Sequence, residues 1–172
     1  VCGSVKPFKA LMAQCQDASF AAEALSLVHA NDFVDLDERV DASDEDEAVK
    51  AAIKELPRLA GDVRVLDRVD ELLAAAGIKA PMTAELRALL DGLDERDAAT
   101  VSFDFSLMNS FDYYTGLVFK AYVDGLTDPV GSGGRYDSIF DGAFGEGITV
   151  PAAGFAFSLE RLEEADAKEA DA

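Results

Sequence analysis

Three short segments carry most of the side chains whose types and spacing suit them to chemistry. The first is Phe111-Asp112-Tyr113-Tyr114-Thr115-Gly116. Adjacent tyrosines on an extended segment point to opposite faces, so one can enter the core while the other faces a pocket. A phenol has an apolar body and one hydrogen-bonding tip, which suits it to a small heteroaromatic ligand. Simple packing of both rings is the alternative. The second segment is Gly131-Ser132-Gly133-Gly134-Arg135-Tyr136-Asp137. Its glycines allow close backbone approach, and Arg135, Tyr136 and Asp137 add polar function. It is not a P-loop, because no Gly-Lys-Ser/Thr follows, and it lacks the third glycine of a dinucleotide fingerprint. A tight turn with a structural Arg–Asp contact remains open. The third segment is Pro151-Ala152-Ala153-Gly154-Phe155-Ala156-Phe157-Ser158-Leu159-Glu160-Arg161-Leu162. Arg161 is a lone cation among acids, able to pair with a ligand anion, stack on a ring or make an ordinary surface salt bridge.

Composition narrows what these segments can serve. The chain has 172 residues, about one domain's worth. Hydrophobic residues make up 49% and charged residues 28%, the balance of a globular protein with a core of its own. No apolar run is long enough to span a membrane. Acids outnumber bases 34 to 15, for a net charge of −19. That charge repels nucleic-acid phosphates and anionic membranes, so neither is an expected partner, while local basic spots leave room for a small anion. Cys2 and Cys15 are too few for a disulfide framework and read as reduced thiols of a cytoplasmic protein. One histidine, His29, in an apolar helical stretch, leaves little scope for a metal site or a triad. No metal or cofactor is expected. The chain opens on Val1 with no charged n-region, so it reads as lacking a signal peptide and as part of something longer.

The elements that must position these segments follow from hydrophobic period. Residues 1–93 read as helical. Val5, Phe8, Leu11, Met12 and Cys15 share one face, and Ala21, Ala24, Leu25 and Val28 share another. Asn31 is the expected cap of a short helix carrying Phe33, Leu36 and Val40, and Ser43 that of the next, which Pro57 ends. A helix from about Asp62 to Ala76 closes at Gly77, and Pro81 suits the first turn of its successor, with Gly92 past its end. After Ala99 the period becomes two. Val101, Phe103, Phe105 and Leu107 alternate with polar residues, as do Leu117, Phe119, Ala121 and Val123. These two stretches read as an antiparallel hairpin joined by a longer connection. Gly131 to Gly134 reads as a loop with a helix beginning near Arg135, and Ala152 to Ala165 as a helix or a strand running into one. The expected division is a helical segment over 1–95, a sheet-bearing part over 96–165 and a frayed acidic tail over 166–172.

Taken in order, the three segments resemble the C-terminal half of the catalytic core of the histidyl-tRNA synthetase family, a class II synthetase fold. Asp112-Tyr113-Tyr114 is similar to the end of that family's Arg-Gly-Leu-Asp-Tyr-Tyr signature. Gly133-Gly134-Arg135-Tyr136-Asp137 matches its second histidine signature residue for residue. Gly154-Phe155 with Leu159-Glu160-Arg161-Leu162 resembles the third class II motif. The match is strong over about residues 101–162. Val65-Leu66-Asp67-Arg68-Val69-Asp70-Glu71-Leu72 is more weakly similar to the helical insertion of the same fold. The implied fold is α+β: a partial antiparallel sheet with helices on one side and a helical insertion. The implied histidine contacts are Tyr114 and Tyr136, with Gly133 and Gly134 as the backbone floor. Arg161 matches the adenine-stacking arginine, in a nucleotide-binding or a structural role. The first two class II motifs are expected to precede Val1.

One departure separates branches of the family. An arginine opens the first signature in the ligases; here that position is Asn109, followed by Ser110. Amino-acid activation develops negative charge at a phosphate, which a fixed cation stabilises and an amide does not. Tyr113-Tyr114-Thr115-Gly116 with Val118-Phe119 is similar to the paralogue that serves as regulatory subunit of ATP phosphoribosyltransferase, although Lys120 stands where both branches commonly carry an acid. That resemblance implies a non-catalytic subunit. Its partner would be the short-form catalytic subunit, its effector histidine, and its full-length state a homodimer. A fragment of a histidine–tRNA ligase is the second reading, and an interaction module without ligand binding the third.

Overall fold

The computed structural model describes residues 1–107, 113–143, 145, 147–148 and 150–170, the side chains of 169 and 170 apart. Helices dominate the N-terminal part because apolar side chains recur there every three or four positions. They are α1 (Lys6–Met12), α2 (Ala18–His29), α3 (Phe33–Asp41), α4 (Glu47–Glu55), α5 (Arg64–Ala75), α6 (Ala84–Asp91) and α7 (Glu95–Ala98). Side-chain caps start several of them: Asp17 accepts from Ser19 N, Asp32 from Asp35 N and Asp94 from Asp97 N.

Two expected caps fall elsewhere. Asn31 takes a left-handed φ of 55° one step ahead of the cap, and Asp32 caps α3. Ser43 donates back to Val40 O and so closes α3 rather than opening α4, which follows Asp46. Pro57 sits in a single 3-10 turn, Leu56–Arg58, that ends α4. Gly77, at φ +89°, closes α5 as expected, with Gly77 N donating to Ala74 O and Ile78 N to Leu73 O. Pro81 precedes the α6 cap, Thr83, instead of lying in the first turn.

The sheet contains β1 (Cys2–Ser4), β2 (Ala60–Gly61), β3 (Phe103–Asp104), β4 (Leu117–Ala121), β5 (Gly131–Arg135) and β6 (Ala153–Phe157), and α8 (Leu159–Ala170) follows. The strand order is β2-β3-β1-β4-β5-β6. The expected hairpin is therefore corrected. β1 lies between its two strands, parallel to β3 through Cys2 and Phe103 and antiparallel to β4 through Gly3 and Val118. A strand this short carries no readable period, and its central glycine is what lets it in. A Cβ on Gly3 would stand 2.6 Å from Asp104 O.

The expected Gly131–Gly134 loop and the helix at Arg135 are corrected too. The glycines form β5, paired with both β4 and β6, and only a 3-10 turn, Asp137–Phe140, follows. Glycine disfavours strands in general, but here neighbouring rings fill the space its missing side chain leaves. The last expectation resolves into a strand, β6, running into a helix, α8.

The helices pack on one face of this sheet. Phe8, Phe20, Leu36, Ile53, Leu66 and Leu86 are at most 1% exposed and share a core with Cys2 and Phe103. Val5, expected on the same stripe as Phe8, joins Tyr114 and Val118 in a separate small cluster. No helix among the described residues is long and apolar enough to cross a membrane. Phe103 ties the helical layer to the sheet at 1% exposure, so Phe103→Ala is expected to cost about 3–5 kcal/mol in urea unfolding. Val34→Ala, at a side chain 70% exposed, is expected to stay within about 0.5 kcal/mol of wild type in the same measurement.

Candidate functional site

β4, β5 and β6 and the segments entering them build an open cleft of about 560 Å³. Its walls are Tyr113, Tyr114, Tyr136, Ile139, Phe140 and Phe155, with Ser132, Gly133, Gly154 and Ala156 on the strand surface. The structure thus brings together residues of all three segments: Tyr113 and Tyr114 of the first, Ser132, Gly133 and Tyr136 of the second, and Gly154, Phe155 and Ala156 of the third.

Tyr114 precedes β4 and is fixed by its backbone. Lys9 Nζ donates to Tyr114 O at 2.8 Å, and the next residue, Thr115, donates its N–H to Arg135 O at 2.8 Å. The ring is 6% exposed. Tyr113 lies outside regular strand, so the two neighbours do not diverge to opposite faces as an extended segment would require. Their ring centroids are 4.5 Å apart, and Tyr113 meets Tyr136 edge-on at 5.8 Å. All three phenols border one space. Burial, then the hydrogen bond shared with Tyr113 and the nearness of the Tyr113 and Tyr136 phenols, push the Tyr114 hydroxyl up to about 12. At neutral pH it is an uncharged tip that can both donate and accept.

Tyr136 is aimed by the turn after β5. Tyr136 N donates to Ala152 O at 2.8 Å, and Asp137 Oδ1 accepts from Ala152 N at 3.0 Å. Asp137 N donates to Thr115 Oγ1 at 3.0 Å, which ties this turn to the tyrosine pair. The Tyr136 hydroxyl lies against Gly154, leaving no room there for a side chain.

The glycine floor differs in one respect from its expected form. Neighbours along a strand face opposite ways. Gly134 lies beneath Tyr114, where a Cβ would stand 2.6 Å from Tyr114 Cε1, while one on Gly133 would stand 2.7 Å from Phe155 Cβ. Gly134 pairs across the sheet with Gly154. Of the two glycines, Gly133 borders the cleft together with Gly154, while Gly134 lies covered beneath the Tyr114 ring. Gly154, Ile139 and Phe140 were not read from sequence as cleft residues; the small residue at 154 signalled only close packing.

Arg161 is placed elsewhere. Its Nη1 donates to Pro129 O at 2.6 Å, and its Nη2 is 3.7 Å from Asp128 Oδ2. It borders a smaller hollow of about 180 Å³ with Glu164 and Lys168, and ties the start of α8 to the turn before β5. Asn109 lies outside the described residues. The two thiols are free, and burial raises both, Cys15 to about 11 with Glu45 adding to the effect.

A family model described as histidyl-tRNA synthetase matches residues 1–162. The chain belongs to the histidyl-tRNA synthetase family. Within that family it is 31% identical over 163 residues to an ATP phosphoribosyltransferase regulatory subunit of Acetivibrio thermocellus, covering 93% of this chain and 38% of the relative. It is 40% identical over 120 residues to a protein of the same name from Rubrobacter xylanophilus, covering 67% of this chain and 28% of the relative. A solved structure from Bacillus halodurans, described as an ATP phosphoribosyltransferase regulatory subunit/histidyl-tRNA synthetase, superposes with a TM-score of 0.79 at 26% identity. It covers 96% of this chain and 43% of that one. This chain spans less than half the length of the curated relatives it matches. The α+β class II-like architecture is that of the family.

The Tyr114 environment has a measurable consequence. Its ordinary value is 10.0, and folding raises it to about 12. Between those pH values the unfolded chain has released this proton and the folded chain has not, so stability is expected to fall as pH rises through that window and to level off above it. Urea midpoints across the window check this, and Tyr114→Phe is expected to flatten the fall.

Proposed function

We propose that these residues belong to a regulatory subunit of ATP phosphoribosyltransferase and that the tyrosine cleft receives histidine as its effector. The observation that carries this reading is the convergence of Tyr114 and Tyr136 on one cleft that Gly133 and Gly154 border. Apolar walls suit a flat ring, and the uncharged phenol tips can satisfy both nitrogens of an imidazole, one as donor and one as acceptor. The relatives named as regulatory subunits support the same reading. The polar asparagine at position 109 supports a cleft that senses its amino acid without activating it, and hence a non-catalytic subunit.

On this reading the full polypeptide is a homodimer in the cytoplasm that associates with the short-form catalytic subunit, which joins ATP to phosphoribosyl pyrophosphate. Histidine shifts the activity of that assembly by binding one of its states more tightly than another; equal affinity for both would shift nothing. Arg161, satisfied by Pro129 O, then serves as a structural residue.

The test is to co-purify the complete gene product with the catalytic subunit and assay phosphoribosyl transfer with and without histidine. Tyr136→Ala is expected to raise the histidine concentration for half-inhibition by about tenfold or more, a loss of about 1.4 kcal/mol, while the subunits still co-purify. Unchanged inhibition would overturn the assignment of the cleft. Loading of histidine onto transfer RNA by the complete gene product would overturn the regulatory reading in favour of the ligase.

A further inference from the structure

Arg135 and Tyr136 are consecutive, yet they serve opposite sides of the sheet. Tyr136 projects into the cleft, while Arg135 reaches toward the helical layer, where its Nη1 is 3.4 Å from Glu85 Oε1. Glu85 stands on α6, and its other oxygen receives Lys6 Nζ at 2.8 Å. Its side chain is only 19% exposed. The carboxylate closes onto the bare backbone of Gly116: a Cβ there would lie 2.6 Å from Glu85 Oε2. The missing side chain at Gly116 thus lets a carboxylate from the helical layer lie close to the tyrosine segment.

The chain of charges continues to the cleft. Arg135 Nε donates to Asp137 Oδ2 at 2.7 Å, and Asp137 Oδ1 receives Ala152 N. The Ala152 amide and the Arg135 guanidinium hold the Asp137 carboxyl below the usual range. On the other side Glu85 is rigidly mounted. Its neighbour Leu86 is fully buried in the helical core. Thr83, fully buried, donates to Asp70 Oδ2 at 2.5 Å, and Arg87 bonds Asp67 at 2.8 Å and Asp70 at 3.3 Å, so α6 is locked to α5. Lys9 adds a second tie from α1 to the Tyr114 carbonyl.

We infer that Glu85 is a positioning residue that couples the α5–α6 pair to the tyrosine cleft, so that filling the cleft and shifting these helices are two readings of one equilibrium. A ligand that draws Tyr136 toward Tyr114 moves the Arg135–Asp137 turn, and Glu85 carries that displacement to α6. By reciprocity, a partner that holds α5–α6 in one placement changes the affinity of the cleft by the same factor. The ligand part of this inference rests on the reading of the cleft as a histidine site; the mechanical part does not.

The experiment uses the complete gene product, as wild type and as Glu85→Gln, with amide hydrogen exchange measured first without ligand. Glu85→Gln is expected to speed exchange at Tyr136, Asp137 and Ala152 by about fivefold or more, with α2, α3 and α4 unchanged. Exchange unaltered at those amides, or raised equally throughout the chain, would overturn the coupling. Glu85→Asp keeps the charge but shortens the reach to Arg135, and the same local signature is expected of it should Glu85→Gln fail to fold. With histidine added, wild type is expected to gain protection across α6, and Glu85→Gln to lose that gain and bind about three- to tenfold more weakly by calorimetry. Absence of heat in wild type would defeat the histidine reading of the cleft and leave the coupling to be decided by the ligand-free exchange.

Discussion

Glycine in β5 is the constraint on which the sheet and the cleft both depend. A strand normally stabilises a sheet through its side chains, and β5 has almost none to offer. It contributes backbone instead, pairing along its whole length with β4 on one side and β6 on the other. The space left bare is filled from its neighbours, by Phe157 over Gly131, Phe155 over Gly133 and Tyr114 over Gly134. An alanine at 134 would push the Tyr114 ring off the strand, and the small cluster with Val5 and Val118 would lose its cover. The entropy cost of ordering these glycines is the counterpart of a cleft whose floor is flat enough for an aromatic ligand.

Charge is distributed to match. The chain is strongly acidic, yet the described lining of the cleft is uncharged: phenols, apolar side chains, the Ser132 hydroxyl and glycine backbone. The ionic contacts near it lie on the helical side of the same strands, where Lys6, Glu85, Arg135 and Asp137 follow one another. Ion pairs are of unequal weight. Arg64 and Asp62, 85% and 56% exposed, interact across solvent and contribute little. Glu85 is mostly shielded and meets two cations, so removing it leaves Lys6 without this ion pair and Arg135 held by Asp137 alone. The neutral cleft and the Lys6–Glu85–Arg135–Asp137 contacts are thus separate features joined at the Arg135–Tyr136 peptide.

Much of this was legible in the residues, and what was not has physical reasons. Long helices with a full apolar stripe, such as α5, announce themselves through period, and Gly77 announces its own φ. β1 could not be read, because three residues hold no period and its pairing depends on a missing Cβ at Gly3 meeting Asp104 far along the chain. β5 was misread as a loop because glycine reports conformational freedom, not the neighbour that removes it. Tyr114, Gly133 and Tyr136, which border the cleft, were singled out through the resemblance of their motifs, while spacing alone left them as packing or turn; Gly134, singled out with them, lies beneath the Tyr114 ring. Glu85 was invisible: its partners are 79 and 50 positions away, and on its own helix it is one more acid in a first turn.

The same geometry bears on why a synthetase-like cleft would serve as a sensor. Activation of an amino acid needs a cation held where phosphate charge develops, whereas recognition of an imidazole needs only neutral donors and acceptors held still. Arg135 is near the cleft, but its guanidinium is turned to Glu85 and Asp137, and Arg161 is turned to Pro129 O. Both cations are engaged in holding elements together. On the coupling inferred above, ligand binding would strain the Arg135–Glu85 contact, and the bonds of Thr83 and Arg87 to Asp67 and Asp70 would pass that strain on from α6 to α5. Arg135, the last residue of β5, is turned to Glu85, and Tyr136, the first residue of the turn that follows, borders the cleft.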